Sequence, residues 1–297
     1  MSKPTVAVFG LNGALGASTL AAFLSPIFSE KINLPVLAVT RDASKKESSK
    51  YVKYIKGDLE NGKEELAQKL ANVDVVISLV GASPAVFGNL EEILKQVKPK
   101  VYIPSQFGID IPAAGKVLPG LLQIKETHLE KVRALGIKVV DIATSLFAGG
   151  PWLRKVIGQV GGNAQEKTVT YLGEPNTKFS YTTIDDIGKV VASVATKAVA
   201  GEFPNHINVQ SGLITPEEII KTYESENNTK LEVKAIVPKE RALEQAKEVW
   251  AQGFDGTKFL YYLNVLISQG PGSGISFIEN DDELVNPGES LWKWSKF

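Results

Sequence analysis

The stretch Thr5-Val-Ala-Val-Phe-Gly10-Leu-Asn-Gly13-Ala-Leu-Gly16-Ala-Ser-Thr-Leu20 decides how the chain folds. Five residues without a charge, two of them valine and one threonine, suit a strand buried on both faces. Three glycines at a spacing of three follow, and then an apolar helical period. A turn this tight needs one residue without a Cβ, close approach of backbone to a ligand needs a second, and packing of a helix onto the strand a third. The helix then opens with amides that have no intrahelical acceptor and with the positive end of its dipole, which together bind phosphate. A glycine triplet alone says little; flanked by a strand and a helix it predicts a diphosphate site. Gly10, Leu11, Asn12, Gly13, Leu15 and Gly16 are the candidate contacts.

Outward from this turn, β-branched runs alternate with helical periods. Strands are predicted at 5–9, 35–40, 51–56, 73–79, 100–103 and 137–142, and helices at 15–24, 64–70, 90–97 and 122–135. Short apolar strands separated by helices give βαβ units, whose right-handed crossovers build a parallel sheet. The expected fold is α/β: a doubly wound Rossmann-type parallel sheet with a smaller C-terminal α+β substrate lobe. The second half offers strands at 168–172, 178–183 and 207–210 and helices at 185–198 and 239–250. A further helix opens at Thr215-Pro-Glu-Glu, where a cap, a proline and two acids stand in favoured places. Residues 270–274 read as a loop. No linker separates the halves, so residues 1–160 are expected to form the dinucleotide domain. Residues 161–297 are expected to be mainly a substrate or partner lobe, with parts of the later chain packing back.

The second strand selects the dinucleotide. An Asp or Glu at its end would bind a ribose 2′-hydroxyl, but the chain reads Val39-Thr40-Arg41, with Lys45 and Lys46 close behind. A guanidinium suits a 2′-phosphate through two charge-assisted hydrogen bonds, so the expected cofactor is NADP(H). Asp42 fits a cap of the turn, and a solvated basic loop remains the other reading of the three cations.

In open α/β sheets ligands lie beyond the carboxyl ends of the strands. Those ends carry Asp58 between Gly57 and Leu59, suited to the adenine border. Gly81 and Ala82 are suited to passing beneath the nicotinamide ribose. Gln106 and Phe107 lie in Ser105-Gln-Phe-Gly108, and Phe147 in the segment 143–150. Phe107 and Phe147 fit either the wall of a nicotinamide ring or ordinary core. None of the eight tyrosines has a lysine four residues on, so the usual tyrosine–lysine pair of short-chain dehydrogenases is absent. Lys125, on the helix after the 105–108 loop, is the remaining acid–base candidate: a partly desolvated lysine beside a cationic nicotinamide gives up its proton more easily. A solvated helix face is the plain alternative.

Composition removes other classes. The chain has 297 residues, 33 Lys+Arg balancing 33 Asp+Glu, no cysteine, and two histidines, His128 and His206. Balanced charge argues against nucleic acid as a partner. Without thiols and with so few imidazoles, neither a disulfide nor a metal site is expected. No run approaches the ~20 apolar residues of a membrane span. Met1-Ser-Lys-Pro4 leads straight into the first strand, so no secretory leader is expected and the cytoplasm is the expected location. A monomer and a homodimer fit equally well.

In their order and spacing these segments resemble the NmrA-like and isoflavone-reductase-like atypical short-chain dehydrogenases. The supporting stretches are Gly10-x-x-Gly-x-x-Gly16, Thr40-Arg41, Ile55-Lys-Gly-Asp-Leu59, Tyr102-Ile-Pro-Ser-Gln-Phe-Gly108 and Lys125 with the helix behind it. Gly173-Glu-Pro-Asn-Thr-Lys178 and Asp185-Asp-Ile-Gly188 extend the likeness, and Asp281-Asp-Glu-Leu-Val-Asn-Pro-Gly288 is similar to fungal members. The resemblance implies an NADPH-binding Rossmann domain and places Lys125 at the nicotinamide ribose and in proton transfer. It also implies an acid at the position of Gln106, a departure that puts any carboxylate role there in doubt. Two functions follow as expectations. One is an NADPH-dependent reductase of a small apolar or aromatic carbonyl, enone or quinone-like compound, bound between Phe107, Phe147, Trp152, Phe254, Tyr261 and Tyr262. The other is an NADP(H)-sensing regulator that acts on a protein partner without turnover.

Overall fold

The computed structural model describes residues 3–44, 46–59, 63–201 and 203–297. Its elements run, in chain order, β1 (Thr5–Phe9), α1 (Gly16–Leu24), β2 (Asn33–Thr40), β3 (Val52–Lys56), α2 (Lys63–Lys69), β4 (Val75–Ser78), α3 (Pro84–Val97), β5 (Val101–Ile103), α4 (Ile111–Val117) and α5 (Gln123–Ala134). Next come β6 (Lys138–Val139), β7 (Asp141–Ala143), β8 (Leu146–Ala148), β9 (Gly162–Asn163), β10 (Thr168–Leu172), β11 (Phe179–Thr183), α6 (Ile184–Lys197), β12 (His206–Asn208), β13 (Gly212–Ile214) and α7 (Pro216–Glu226). The chain closes with β14 (Glu232–Val237), α8 (Lys239–Trp250), α9 (Phe259–Gln269) and α10 (Asp282–Val285).

Six of these strands pair in parallel in the order β3-β2-β1-β4-β5-β6. The order reverses between β1 and β4, so a crevice opens beyond their carboxyl ends, where ligands of such sheets bind. Successive strand residues face opposite layers. Val6, Val8, Val75 and Ile77 pack with Phe23 of α1 and Val190, Val191 and Val194 of α6. Ala7, Phe9, Val76 and Tyr102 pack on the other side against Leu66, Leu90, Leu94 and Leu129 of α2, α3 and α5. The doubly wound Rossmann sheet expected from the sequence is therefore present.

A third core lies in the later chain, where Tyr171, Phe179, Ile219, Ala242 and Leu266 meet. The two regions are stitched together by strand exchange. β7 pairs with β12, and β8 with β11 and, through it, β13. Ser145, between β7 and β8, sits with its hydroxyl 2.6 Å from both the Ser180 and the Ile275 carbonyls.

Several boundaries differ from expectation for identifiable reasons. Helix α3 begins at Pro84, not at 90, because the Ser83 hydroxyl accepts the Val86 amide at 3.2 Å and proline fills the first turn. The strand predicted at 137–142 splits at Val140 into β6 and β7. Helix α9 was not expected: residues 262–268 are all buried, so it shows no polar face and no amphipathic period. The Thr215 start of α7 is a full capping box, with the Glu218 amide on the Thr215 hydroxyl at 3.2 Å and the Glu218 carboxylate on the Thr215 amide at 2.9 Å.

Both histidines are committed to internal pairs. His128 lies between the Tyr102 hydroxyl (3.0 Å) and Glu91 (2.9 Å), and burial holds its pKa below the usual value. His206 bonds Asp141 at 2.6 Å with Asp110 at 3.6 Å. Burial would lower its pKa, but the two carboxylates outweigh burial and lift it to about 10.

Helix α6 packs closely on α1. A Cβ on Gly188 would stand 2.4 Å from the Ser18 carbonyl oxygen, whereas one on Gly88 in α3 meets nothing within 4 Å. Gly188→Ala is expected to lower unfolding free energy by about 1–3 kcal/mol through forced separation of the helices. Gly88→Ala is expected to raise it by about 0.4–1 kcal/mol by restricting the unfolded chain. Urea denaturation of the two variants measures both signs, and a neutral Gly188→Ala would contradict the packing.

Candidate cofactor and active site

The crevice at the switch point is a cleft of about 510 Å³ lined by the turn after β1, the end of β2, the Gly57–Leu59 segment and the end of β4. Gly10 is the residue on which it turns. Its φ is +90°, and a Cβ there would lie 2.9 Å from the Leu79 carbonyl, so the backbones after β1 and β4 touch. Gly16 serves the helix: a Cβ would lie 2.0 Å from the Leu11 carbonyl oxygen. Gly13 is exposed at the mouth, its own amide closing the turn onto the Gly10 carbonyl at 2.8 Å. Among the described residues, the amides of Asn12, Ala14 and Leu15 meet no protein acceptor. Unpaired amides at a helix start, beside a glycine mouth, fit a diphosphate.

The structure brings six of the predicted contacts into this one lining: Gly10, Asn12, Gly13, Arg41, Asp58 and Gly81. Leu11 is half-buried against the core, and Leu15 and Gly16 are buried, so these three shape the turn from behind. The exposed Arg41 follows Thr40, whose hydroxyl accepts a 3.4 Å bond from the Asn12 side-chain amide and so ties the first turn to the end of β2. Asp42 accepts the Ser44 amide at 3.0 Å and its hydroxyl, the cap expected from sequence. The Lys46 amine stands 6.0 Å over the Tyr54 ring and is not part of the lining. Lys45 lies outside the described residues. Ala82 is exposed next to Gly81. The apolar side of the cleft, formed by Val39, Leu79, Val80 and Val86, escaped sequence reading because such residues look like any strand end.

A second group of predicted residues gathers one strand over, at the end of β5. Lys125, in the first turn of α5, donates from its amine to the Ser105 carbonyl at 2.7 Å and to the Gln106 carbonyl at 3.2 Å. Burial, opposed only in part by the neighbouring Glu126, lowers its pKa to about 8. Gln106 is buried, and its amide donates to Glu126 at 2.9 Å. A carboxylate therefore does stand beside position 106, contributed by α5. Sequence gave no signal of it, because the partners are twenty residues apart and on different elements. Burial, and then repulsion from Asp141, raises the Glu126 pKa.

The aromatic residues divide. Phe107 is buried in the core beneath the sheet, and Phe147 packs edge-on to Trp152 at 5.7 Å. Phe254 and Tyr261 belong to a separate cluster with Trp250 and the fully buried Tyr262. Among the described residues no group of three or more His, Asp or Glu is arranged to hold a metal ion, and no helix is long and apolar enough to cross a membrane.

Comparisons with known proteins agree with this architecture. Residues 2–260 match the NmrA-like family. The isoflavone reductase homolog IRL of Zea mays is 28% identical over 262 residues, which covers 83% of this chain and 81% of that protein. A crystal structure of isoflavone reductase superimposes with a TM-score of 0.68 at 22% identity, over 95% of this chain and 94% of that one. The binary complex of leucoanthocyanidin reductase with NADPH from Vitis vinifera gives 0.68 at 18% identity, over 96% and 95%. At these identities the superpositions show a shared fold. The match over most of its length, together with the Rossmann sheet and its glycine turn, makes the chain a member of the NmrA-like family.

Proposed function

We propose that this chain binds NADP(H) in the cleft between β1 and β4 and reduces a small apolar or aromatic carbonyl, enone or quinone-like compound. The observation that carries the proposal is Lys125: an amine with a pKa of about 8, drawn onto two backbone carbonyls one strand beyond a cleft suited to a dinucleotide. Of the relatives named above, one is a homolog of isoflavone reductase, one is an isoflavone reductase, and one is a leucoanthocyanidin reductase solved with NADPH.

The unpaired amides of Asn12, Ala14 and Leu15 would hold the diphosphate, Arg41 the 2′-phosphate, and Asp58 the adenosine side. The bound dinucleotide would supply hydride to the carbon of the acceptor. Lys125 then gives its proton to the oxygen or carbon that gains the electron pair, and it is reprotonated from solvent. Two backbone carbonyls hold its amine in place, which fixes the direction of transfer. Phe147 and Trp152, packed edge-on, would offer an aromatic wall suited to a flat substrate. No observation favours the sensing alternative over the reductase.

Arg41→Ala is expected to weaken NADPH binding by about 1.5–3 kcal/mol, the worth of a charged hydrogen bond, and to leave NADH binding nearly unchanged. Calorimetric titration of both cofactors measures this, and an equal loss for both would contradict the 2′-phosphate assignment.

The acid that acts in reduction is the ammonium form of Lys125, which is populated below its pKa. Turnover is therefore expected to fall as pH rises through about 8. Lys125→Met should lower kcat by roughly 10²–10⁴-fold and abolish that inflection. NADPH oxidation against a panel of enones, quinones and aromatic carbonyls gives the profile. Cofactor binding with no acceptor reduced, or an unchanged profile in Lys125→Met, would overturn the reading.

A further inference from the structure

The Lys125 amine does not rest on another side chain. It rests on the carbonyls of Ser105 and Gln106, which belong to a turn closed by the Gln106 amide on the Pro104 carbonyl at 2.8 Å. Such a turn fixes the amine only as well as the turn is itself fixed. Its anchor is the Gln106 side chain, which is 5% exposed and donates its amide to the Glu126 carboxylate at 2.9 Å. Glu126 follows Lys125 on α5, so the helix holds the amine through one residue and the carbonyls beneath it through the next. The four groups form a closed loop: Lys125 amine, Gln106 carbonyl, Gln106 side-chain amide and Glu126 carboxylate.

We propose that Glu126 is the positioning residue for Lys125, holding Gln106 by its side-chain amide so that the Ser105 and Gln106 carbonyls receive the lysine amine in one place. A second consequence follows from charge. The Glu126 carboxylate opposes the burial that lowers the lysine pKa. Glu126 itself faces Asp141, Arg133 and His206 as well as Gln106; burial and Asp141 raise its pKa, while the two cations and the amide lower it. The inference rests on the reading of Lys125 as the proton donor only where turnover is concerned. The loop itself does not depend on that reading.

Two variants separate geometry from charge. Glu126→Gln keeps an acceptor for the Gln106 amide and removes the negative charge. Glu126→Ala removes both. The direct readout is competitive acetylation of Lys125 in the full chain without cofactor, followed by mass spectrometry from pH 6 to 11, the range that brackets a lysine with its usual pKa near 10. The unaltered chain should titrate near pH 8. Glu126→Gln should titrate at a lower pH with the same limiting reactivity at high pH, because only the opposing charge is gone. Glu126→Ala should titrate lower and also react severalfold faster at the limit, because the amine is released from the carbonyls. In turnover with NADPH, Glu126→Ala should lose kcat by about tenfold or more with cofactor affinity kept, and Glu126→Gln should recover most of that loss. Labelling of Glu126→Ala that matches the unaltered chain in both midpoint and limit would overturn the proposal. Altered labelling together with no turnover of any acceptor by the unaltered chain would support the positioning role and refute the reductase.

Discussion

The site depends on the contact between the backbone after β1 and the backbone after β4. Gly10 can lie against the Leu79 carbonyl because it has no side chain and adopts a left-handed φ. That contact sets the first turn of α1 so that its amides face the switch point of the sheet. Everything else in the cleft is placed relative to this junction. Thr40 and Arg41 enter from β2, tied across by the Asn12 to Thr40 bond, and Gly57 and Asp58 follow from β3. The sheet orders the strands so that four loops contribute to one lining.

The Lys125 amine is placed by a different device. Lys125 is buried enough to lower its pKa to about 8, yet it keeps hydrogen bonds to two carbonyls. A buried ammonium without acceptors would cost several kcal/mol or lose its proton altogether. One with a full carboxylate pair would keep the proton at any neutral pH. Carbonyl acceptors lie between these limits, and they leave the amine able to give up a proton near physiological pH.

The sheet and its glycine turn were legible because both are local. β-branched runs alternate with helical periods, and three glycines fall between a strand and a helix. Arg41 reaches the cleft for an equally local reason, since it stands directly at the end of one strand. What sequence hid is non-local or lacks contrast. Helix α9 is buried throughout residues 262–268 and shows no polar face there, and the Gln106 to Glu126 bond joins two elements whose meeting only the fold determines, whereas the start of α3 at Ser83-Pro84 carries the same cap-and-proline signal as Thr215-Pro216. In sequence the aromatic residues fit either a pocket wall or ordinary core; the structure buries Phe107 in the core and separates Phe147 and Trp152 from the Trp250 cluster. Aromatic type alone does not distinguish core from pocket.

The central claim is that one bound NADP(H) spans from Arg41 to Lys125 across the β1–β4 junction. A crystal structure of the chain with NADP⁺ tests it most directly. The account predicts the 2′-phosphate on the Arg41 guanidinium, the diphosphate on the amides of Asn12 to Leu15, and the nicotinamide ribose within hydrogen-bond distance of the Lys125 amine. A dinucleotide whose nicotinamide half turns away from β5, leaving Lys125 without contact, would contradict it.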